Sequence, residues 1–502
     1  MSYRINSFDK LLQWIVLIVP CAMFIALSIK SNPYINYTTA WIVSGMSILL
    51  IAAISANQRS RIPILNMFIL IYVGHWHLRY LTLLFWPEYQ HVLTRTVIVD
   101  QGIFNEYSLL VLLALVAVFL GIFLAYRFTN AIREWSTSNA EISFVEISQF
   151  VSSRKHFISL YCFLLLCWQL AGLNCSMAAD LRIHSYISLL FLPHILIFMC
   201  LIVLLTDSIA KNIKILFGSY LLVYLLFTLV GGNRGIFLFI FICLMGMLYL
   251  YKREIRLNLR GWIALIIIAI SMVLCFFVAS TIRSAQRFEC EPGANLIHNL
   301  AKSVLEPAIS HVSEPAISHV VANLEPAISH VMANPESVLG TAIARAGYLD
   351  FGAEMYANDK YADVINISSL AKSTIDNLIP GFLFEEGKIS HRIATIYKPP
   401  RESYQKERSI QSDAITAIGE NYLLFGKYSP IAIMFVAFMF TLTYSLSGNT
   451  LLGLWLKFVL MINLGTWWNS FGYDWLIQDI VLQIIFGSLV VAMIFYGTKI
   501  RH

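Results

Sequence analysis

Long apolar runs are the feature that most constrains the fold of this sequence. Runs of about 18 or more apolar residues are typical of membrane-spanning helices. The chain has 502 residues, of which 58% are hydrophobic and only 13% are charged, and soluble domains do not bury so much apolar surface. We therefore predict an all-α polytopic membrane protein with about 12 transmembrane helices and one large extracytoplasmic loop. The approximate bounds of the predicted helices are 11–29, 38–55, 63–85, 105–126, 157–173, 186–206, 212–230, 235–251, 261–280, 428–446, 450–466 and 476–497.

The distribution of Lys and Arg predicts which ends of these helices face the cytoplasm, because cytoplasmic loops are enriched in basic residues. With the N-terminus inside, the short outer loops hold Lys30, Arg95, Arg182 and Arg234. The inner loops then hold a larger basic set, namely Arg4, Lys10, Arg59, Arg61, Arg127, Arg133, Arg154, Lys155, Lys211, Lys214, Lys252, Arg253, Arg256, Arg260, Lys499 and Arg501. Both termini are therefore expected in the cytoplasm. The net charge of +6 reflects this topology, and no basic patch with interleaved aromatic residues indicates a nucleic-acid partner.

One long segment, 281–427, separates the predicted membrane helices of 1–280 from those of 428–502. The alternation of helices places it outside the cytoplasm. Loops of this length are usually functional or form a small domain. We expect this segment to carry part of the functional site.

The same segment contains three copies of EPAISHV, at 306–312, 314–320 and 325–331. Their histidines could bind a metal ion, or the copies could be a local duplication without chemistry. The unequal spacing of the copies does not place three imidazoles on one face of a helix. We therefore favour the duplication and expect no metal site in this repeat. The chain also has no P-loop and no Rossmann fingerprint, and we expect no cofactor.

Several arginines lie at the predicted outer ends of membrane helices, where removing the guanidinium from water costs free energy. Arg234 lies in GGNRG, a five-residue gap between two apolar runs, and a guanidinium at membrane depth needs a partner. Its planar fork suits phosphate, and Asn233 and the flanking glycines would let the backbone approach the same anion. Arg79, Arg283 and Arg287 are further candidate ligands of a lipid pyrophosphate at the outer leaflet. The alternative for Arg79 is snorkelling to the interface. The alternative for Arg234 is helix capping or a contact with lipid headgroups, and for Arg283 and Arg287 it is a contact with lipid headgroups.

Several of these stretches resemble the Wzy-type O-antigen and exopolysaccharide repeat-unit polymerases. The resemblance rests on GGNRG between two helices, an arginine just past the next outward helix, and the long outer segment that closes with SDAITAIGENYLLFGKYSPIAI at 412–433. It includes IDNLIPGFLFEEGK and YKPP in the same segment, where this chain has Gly381 at a position that is usually arginine in the family. Arg408 followed after ten residues by Gly419 is similar to a pattern of some family members.

The resemblance implies a metal-independent C-type glycosyltransferase at the outer face of the bacterial inner membrane. Such an enzyme moves a growing glycan from undecaprenyl pyrophosphate onto a second lipid-linked repeat unit. Its expected partners are the lipid-linked glycan donor and acceptor, membrane lipid and, as a further candidate, a chain-length-regulating co-polymerase.

This reaction needs a cation for the leaving pyrophosphate and a base for the attacking sugar hydroxyl. Arg234 is the expected cation. The candidate bases are His391, Asp413 and Glu420, and Arg408 and Tyr422 complete the predicted substrate-binding set. The alternative for Glu420 and Tyr422 is that they anchor the long segment to the helix bundle.

Two other functions fit parts of this pattern. An O-antigen ligase of similar architecture would use the same outer arginines but transfer the glycan to lipid A core. A flippase or transporter would be expected to show internal repeats and charged or broken helices near the midplane. The polar residues here concentrate at the predicted outer face instead, which argues against transport. The polymerase and the ligase both need the outer arginines, so this feature does not separate those two functions.

Overall fold

The computed structural model describes residues 7–29, 37–56, 72–77, 81, 84, 101–135, 144–172, 193–206, 209–230, 243, 356, 367–378, 417–447, 451–469 and 473–496. Every regular element within these residues is a helix, which confirms the all-α class predicted from the sequence. The α-helices are α1 (Ser7–Ile29), α2 (Tyr37–Ala56), α3 (Gln101–Trp135), α4 (Phe144–Gly172), α5 (Pro193–Leu205), α6 (Lys211–Val230), α7 (Ile367–Leu378), α8 (Ala417–Phe425), α9 (Ser429–Leu446), α10 (Leu451–Asn469), α11 (Tyr473–Leu482) and α12 (Ser488–Tyr496). Two π-helical turns, Val73–His77 and Gln483–Gly487, and a 3₁₀ turn, Gly426–Tyr428, complete the described elements.

Two helices in this part of the chain are long and apolar enough to cross a membrane. They are Asn105–Asn130, with a mean hydropathy of 3.0, and Ala417–Leu446, with 1.7. Shorter apolar helical stretches occur at Leu17–Ile29, Thr39–Leu49, Pro193–Leu205, Leu451–Gly465 and Ile480–Met493. The predicted total of spans stays a prediction, because 261–280 and nearly all of 63–85 and 235–251 lie outside the described residues.

The two membrane-length helices pack against each other along α3 and α9. Gly121 of α3 lies against the backbone of Met434 and Phe438, and a side chain there would overlap the Met434 carbonyl oxygen. Phe128 and Phe438 extend the contact with ring centroids 6.2 Å apart. A glycine at such a crossing lets two helix backbones approach closely, which is how helices without a hydrophobic driving force gain packing energy in lipid.

A second core forms around α5, which is apolar on every side. Its residues from Ile195 to Val203 are at most 2% exposed, as expected for a helix without a polar face. Phe198 contacts the rings of Trp455 and Phe458 of α10, with centroids 5.1 Å away in each case. The indole of Trp455 in turn fills the space beside Gly487, where a side chain would not fit.

A buried polar network crosses this second core at the π-helical turn Gln483–Gly487. The side chain of Asn463 donates to Gln483 Oε1 at 2.9 Å, and the indole of Trp455 donates to the Gln483 carbonyl at 3.3 Å. The Gln483 amide nitrogen lies 3.3 Å from His194 Nε2. These bonds satisfy polar groups that would otherwise be costly to bury among apolar side chains.

Candidate functional site

Helix α8 is the element that positions the described part of the candidate site. It ends at Phe425, and the next residue, Gly426, has a φ of +55°, which is readily adopted only by glycine. A 3₁₀ turn follows, and Pro430 lies in the first turn of α9, where its missing N–H is not needed. The Gly-Glu-x-Tyr-x-x-Phe-Gly stretch therefore encodes a short helix with a fixed end directly before α9.

Two consecutive residues of α8 hold the start of α11. Glu420 is only 3% exposed, and its Oε2 accepts a hydrogen bond from the backbone N–H of Tyr473 at 2.8 Å. The Tyr473 hydroxyl donates to Asn421 Oδ1 at 2.7 Å, and Asn421 Nδ2 donates to the Ala417 carbonyl at 2.6 Å. Glu420, Asn421 and Tyr473 are called the α8–α11 clasp below.

The clasp is electrostatically favourable because Tyr473 is the first residue of α11. The first N–H groups of a helix have no partner within the helix, and negative charge near them is stabilising. Burial and then the neighbouring Glu420 carboxylate raise the pKa of the Tyr473 hydroxyl above its usual value. The hydroxyl therefore stays protonated and continues to donate to Asn421.

A second group of side chains lies at the surface beside α8. Tyr356, from the long segment, donates from its hydroxyl to Glu106 Oε2 of α3 at 2.9 Å. Its ring lies 4.5 Å from that of Tyr422 between centroids and 6.1 Å from that of Tyr107. Glu106 is exposed, whereas Tyr356 and Tyr422 are half-buried. Glu106, Tyr356 and Tyr422 are called the tyrosine–carboxylate rim below.

The rim keeps Tyr356 neutral. Burial raises the pKa of Tyr356 to about 12, and the hydrogen bond to Glu106 and the charge of that carboxylate add to this rise. The phenol is therefore a permanent donor at physiological pH. It fixes one oxygen of an otherwise exposed carboxylate.

The clasp and the rim belong to the same end of the helix bundle. They use the N-terminal part of α3 and the first turn of α11 together with α8. Trp467 in the last turn of α10 lies 5.6 Å from Tyr473 between ring centroids. Helix α7 of the long segment packs on α11. The distribution of Lys and Arg predicts that each of these helix ends lies at the outer face.

Glu420 and Tyr422 are the predicted site residues that the structure describes. Both residues lie on α8, but they contact different partners. Glu420 accepts a hydrogen bond from Tyr473 of α11, whereas the ring of Tyr422 packs against the ring of Tyr356. The predicted roles of Glu420 as a base and of Tyr422 as a substrate ligand stay predictions. The contacts seen here are those expected of the alternative role, in which both residues anchor the long segment to the helix bundle. The other predicted site residues lie outside the described residues: Arg79, Asn233, Arg234, Arg283, Arg287, His391, Arg408 and Asp413.

Sequence reasoning missed Glu106, Tyr356, Asn421 and Tyr473. One signal for Glu106 was present, because it is an acidic residue at the predicted outer end of an apolar run. Tyr356 gave no signal, since it meets Glu106 across 250 positions of sequence.

The described site offers an exposed carboxylate with a fixed oxygen, two phenol rings and a buried, hydrogen-bonded clasp. A carboxylate held in this way can accept a proton or a hydroxyl hydrogen bond, and half-buried aromatic rings offer a flat apolar surface to a ligand. Comparison with protein-family models, with characterised proteins and with solved structures gives no match for this chain.

Proposed function

We propose that this protein is a glycosyltransferase of the bacterial inner membrane that joins undecaprenyl-pyrophosphate-linked oligosaccharide repeat units into O-antigen or a related polysaccharide. One observation carries the proposal. The two membrane-length helices end together at a surface of carboxylate and phenol groups. The sequence analysis predicts that the outer arginines lie at this same end. A lipid-linked sugar needs both parts, since its isoprenoid tail requires the membrane and its sugars require polar groups at the membrane surface.

The exposed faces of the two membrane-length helices support insertion in a bilayer. On α9, Ile431, Phe435 and Met439 are four residues apart and 59%, 60% and 43% exposed. On α3, Leu113, Leu120 and Leu124 form a similar exposed face. Water would be an unfavourable surrounding for such stripes, and lipid a favourable one. In the full proposal about twelve helices span the membrane, with both termini in the cytoplasm.

The proposed reaction is a direct displacement at the anomeric carbon of the donor glycan. A hydroxyl oxygen of the acceptor unit attacks this carbon, and the bond from the carbon to the pyrophosphate oxygen breaks. The bonding electrons leave with undecaprenyl pyrophosphate, and the hydroxyl proton passes to a base of the enzyme. Such a displacement inverts the anomeric configuration.

The proposed site divides the work between cations and polar ligands. Arg234 stabilises the charge that develops on the leaving pyrophosphate. The further proposed ligands of this anion are Asn233 with its flanking glycines, Arg79, Arg283 and Arg287. Tyr422 lies in the rim, where a glycan attached to a membrane-embedded lipid would reach it, and Arg408 is proposed to bind the same glycan.

Deletion of the gene in the bacterium that carries it tests this function. A polymerase null leaves lipid A core capped with a single repeat unit, and a plasmid with the wild-type gene restores the ladder of longer chains. An uncapped core would instead indicate a ligase. Repeat units trapped on the cytoplasmic side would indicate a flippase, and either result would refute the proposal.

A further inference from the structure

The tyrosine–carboxylate rim contains a carboxylate that suits proton transfer better than the predicted candidate Glu420. Glu420 is 3% exposed, and one of its oxygens binds the Tyr473 N–H. Glu106 is exposed, and the phenol of Tyr356 fixes its Oε2 at 2.9 Å. A base must come within hydrogen-bond reach of the proton that it abstracts, and an exposed side chain meets this requirement without repacking of the core.

We propose that Glu106 is the catalytic base that takes the proton from the acceptor hydroxyl, and that Tyr356 is the residue that positions it. This inference rests on the proposed polymerase function. As the acceptor oxygen bonds to the anomeric carbon of the donor, its proton moves to the Glu106 carboxylate. The pyrophosphate leaves with the electrons of the broken bond, and the carboxylic acid of Glu106 then returns the proton to water.

The geometry of the rim fits this role. Among the residues that the structure describes, Tyr356 is the hydrogen-bond donor found at the Glu106 carboxylate. It contacts Oε2, so Oε1 can turn to a substrate hydroxyl. A base that is itself oriented by a third group is the arrangement by which enzymes activate hydroxyl nucleophiles. The rings of Tyr356 and Tyr422, 4.5 Å apart, lie beside the carboxylate and offer an apolar surface to the sugar that carries the hydroxyl.

The alternative is that Glu106 and Tyr356 only tie the long segment to α3. The substitution Glu106→Gln separates the two roles. A glutamine oxygen still accepts the Tyr356 hydroxyl bond, so the tie is preserved. An amide cannot take up the proton, so catalysis by this side chain is lost.

The test uses full-length protein in proteoliposomes with one defined lipid-linked repeat unit. Initial rates of chain extension give kcat and the KM for the repeat unit, and thermal unfolding in detergent reports folding. We expect Glu106→Gln to lower kcat by about 10²–10⁴, the usual contribution of a general base, with little change in KM or unfolding temperature. Tyr356→Phe should lower kcat by less, and Glu106→Asp should restore part of it. The matched control is Glu134→Gln, the same change at the opposite end of α3, which should extend chains at the wild-type rate.

A Glu106→Gln protein that extends chains within about twofold of the wild-type rate overturns the inference, because a general base contributes far more than this. A loss of kcat that is accompanied by a matching loss of thermal stability also overturns the inference, because it shows that Glu106 only ties the long segment to α3. Both outcomes leave the polymerase function intact if the wild-type protein makes long chains. Wild-type protein that makes none refutes the proposed function itself, and the role of Glu106 with it.

Discussion

At the scale of single residues, the carboxylate of Glu420 accepts the buried N–H of Tyr473 at 2.8 Å. We expect Glu420→Ala to destabilise the protein by about 1–3 kcal/mol, because it leaves a buried donor without its acceptor. Glu420→Gln should lose less, since an amide oxygen can still accept this bond. Thermal or denaturant unfolding of the purified protein in detergent measures both changes, and an alanine variant as stable as wild type would contradict the clasp.

Arg234 gives the second prediction at this scale. A phosphate ligand of this kind needs the forked, bidentate guanidinium, which lysine does not reproduce. Arg234→Lys and Arg234→Ala should both lower the rate of polymerisation by about 10²–10³, the typical loss of one donor to a transition-state anion. Arg182→Lys, at another predicted outer-loop arginine, is the control and should keep the wild-type rate. If Arg234→Lys gave near-normal chain lengths, Arg234 would only contact lipid headgroups, for which a point charge is enough. This result would contradict its role as a pyrophosphate ligand.

The residues of the site differ in how far the sequence could reveal them. Glu420 and Tyr422 lie in a short motif with a glycine at each end, and the structure explains the second glycine by the positive φ of Gly426. Their partners are set by tertiary packing, since Tyr473 lies 53 positions beyond Glu420. Local patterns carry no information on such pairings, so the clasp and the rim could not be predicted.

At the scale of elements, the close crossing of α3 and α9 at Gly121 can be tested directly. Gly121→Ala places a methyl group against the Met434 carbonyl oxygen and should destabilise the protein by about 1–3 kcal/mol through overpacking. Gly45→Ala in α2 is the matched control, because a side chain there meets nothing within 4 Å. It should be neutral or slightly stabilising, since alanine is the better helix former. Equal shifts of the unfolding temperature for the two variants would contradict this packing.

Apolar runs predicted the position of these helices better than their ends. The run at 105–126 lies within α3, which extends over Gln101–Trp135, because polar residues at both ends continue the helix without adding to its hydropathy. The run at 428–446 matches α9, but α8 before it is also helical. The π-helical turn at Gln483–Gly487 gave no sequence signal, since Ile484, Ile485 and Phe486 continue an ordinary apolar pattern after Gln483.

At the scale of the whole molecule, the orientation in the membrane can be tested by labelling. Lys360→Cys lies in the long segment that is predicted to be outside, and Ser138→Cys lies in a predicted cytoplasmic loop. Of the eight cysteines, Cys175 and Cys290 lie in predicted outer segments and the other six in apolar runs. With these two replaced by serine, an impermeant thiol reagent should label the first variant in intact spheroplasts and the second only after lysis. The reverse result would overturn the orientation, and with it a site at the outer face.

The most direct test of the whole account is chain growth by the purified protein. Wild-type protein is reconstituted in liposomes with one defined undecaprenyl-pyrophosphate-linked repeat unit, without metal ions or other proteins. Gel electrophoresis or mass spectrometry of the glycans then follows the reaction with time. A repeat-unit polymerase should give a ladder of products that differ by one repeat unit, with release of undecaprenyl pyrophosphate at each step. Repeat units that remain single in the presence of folded protein would contradict it.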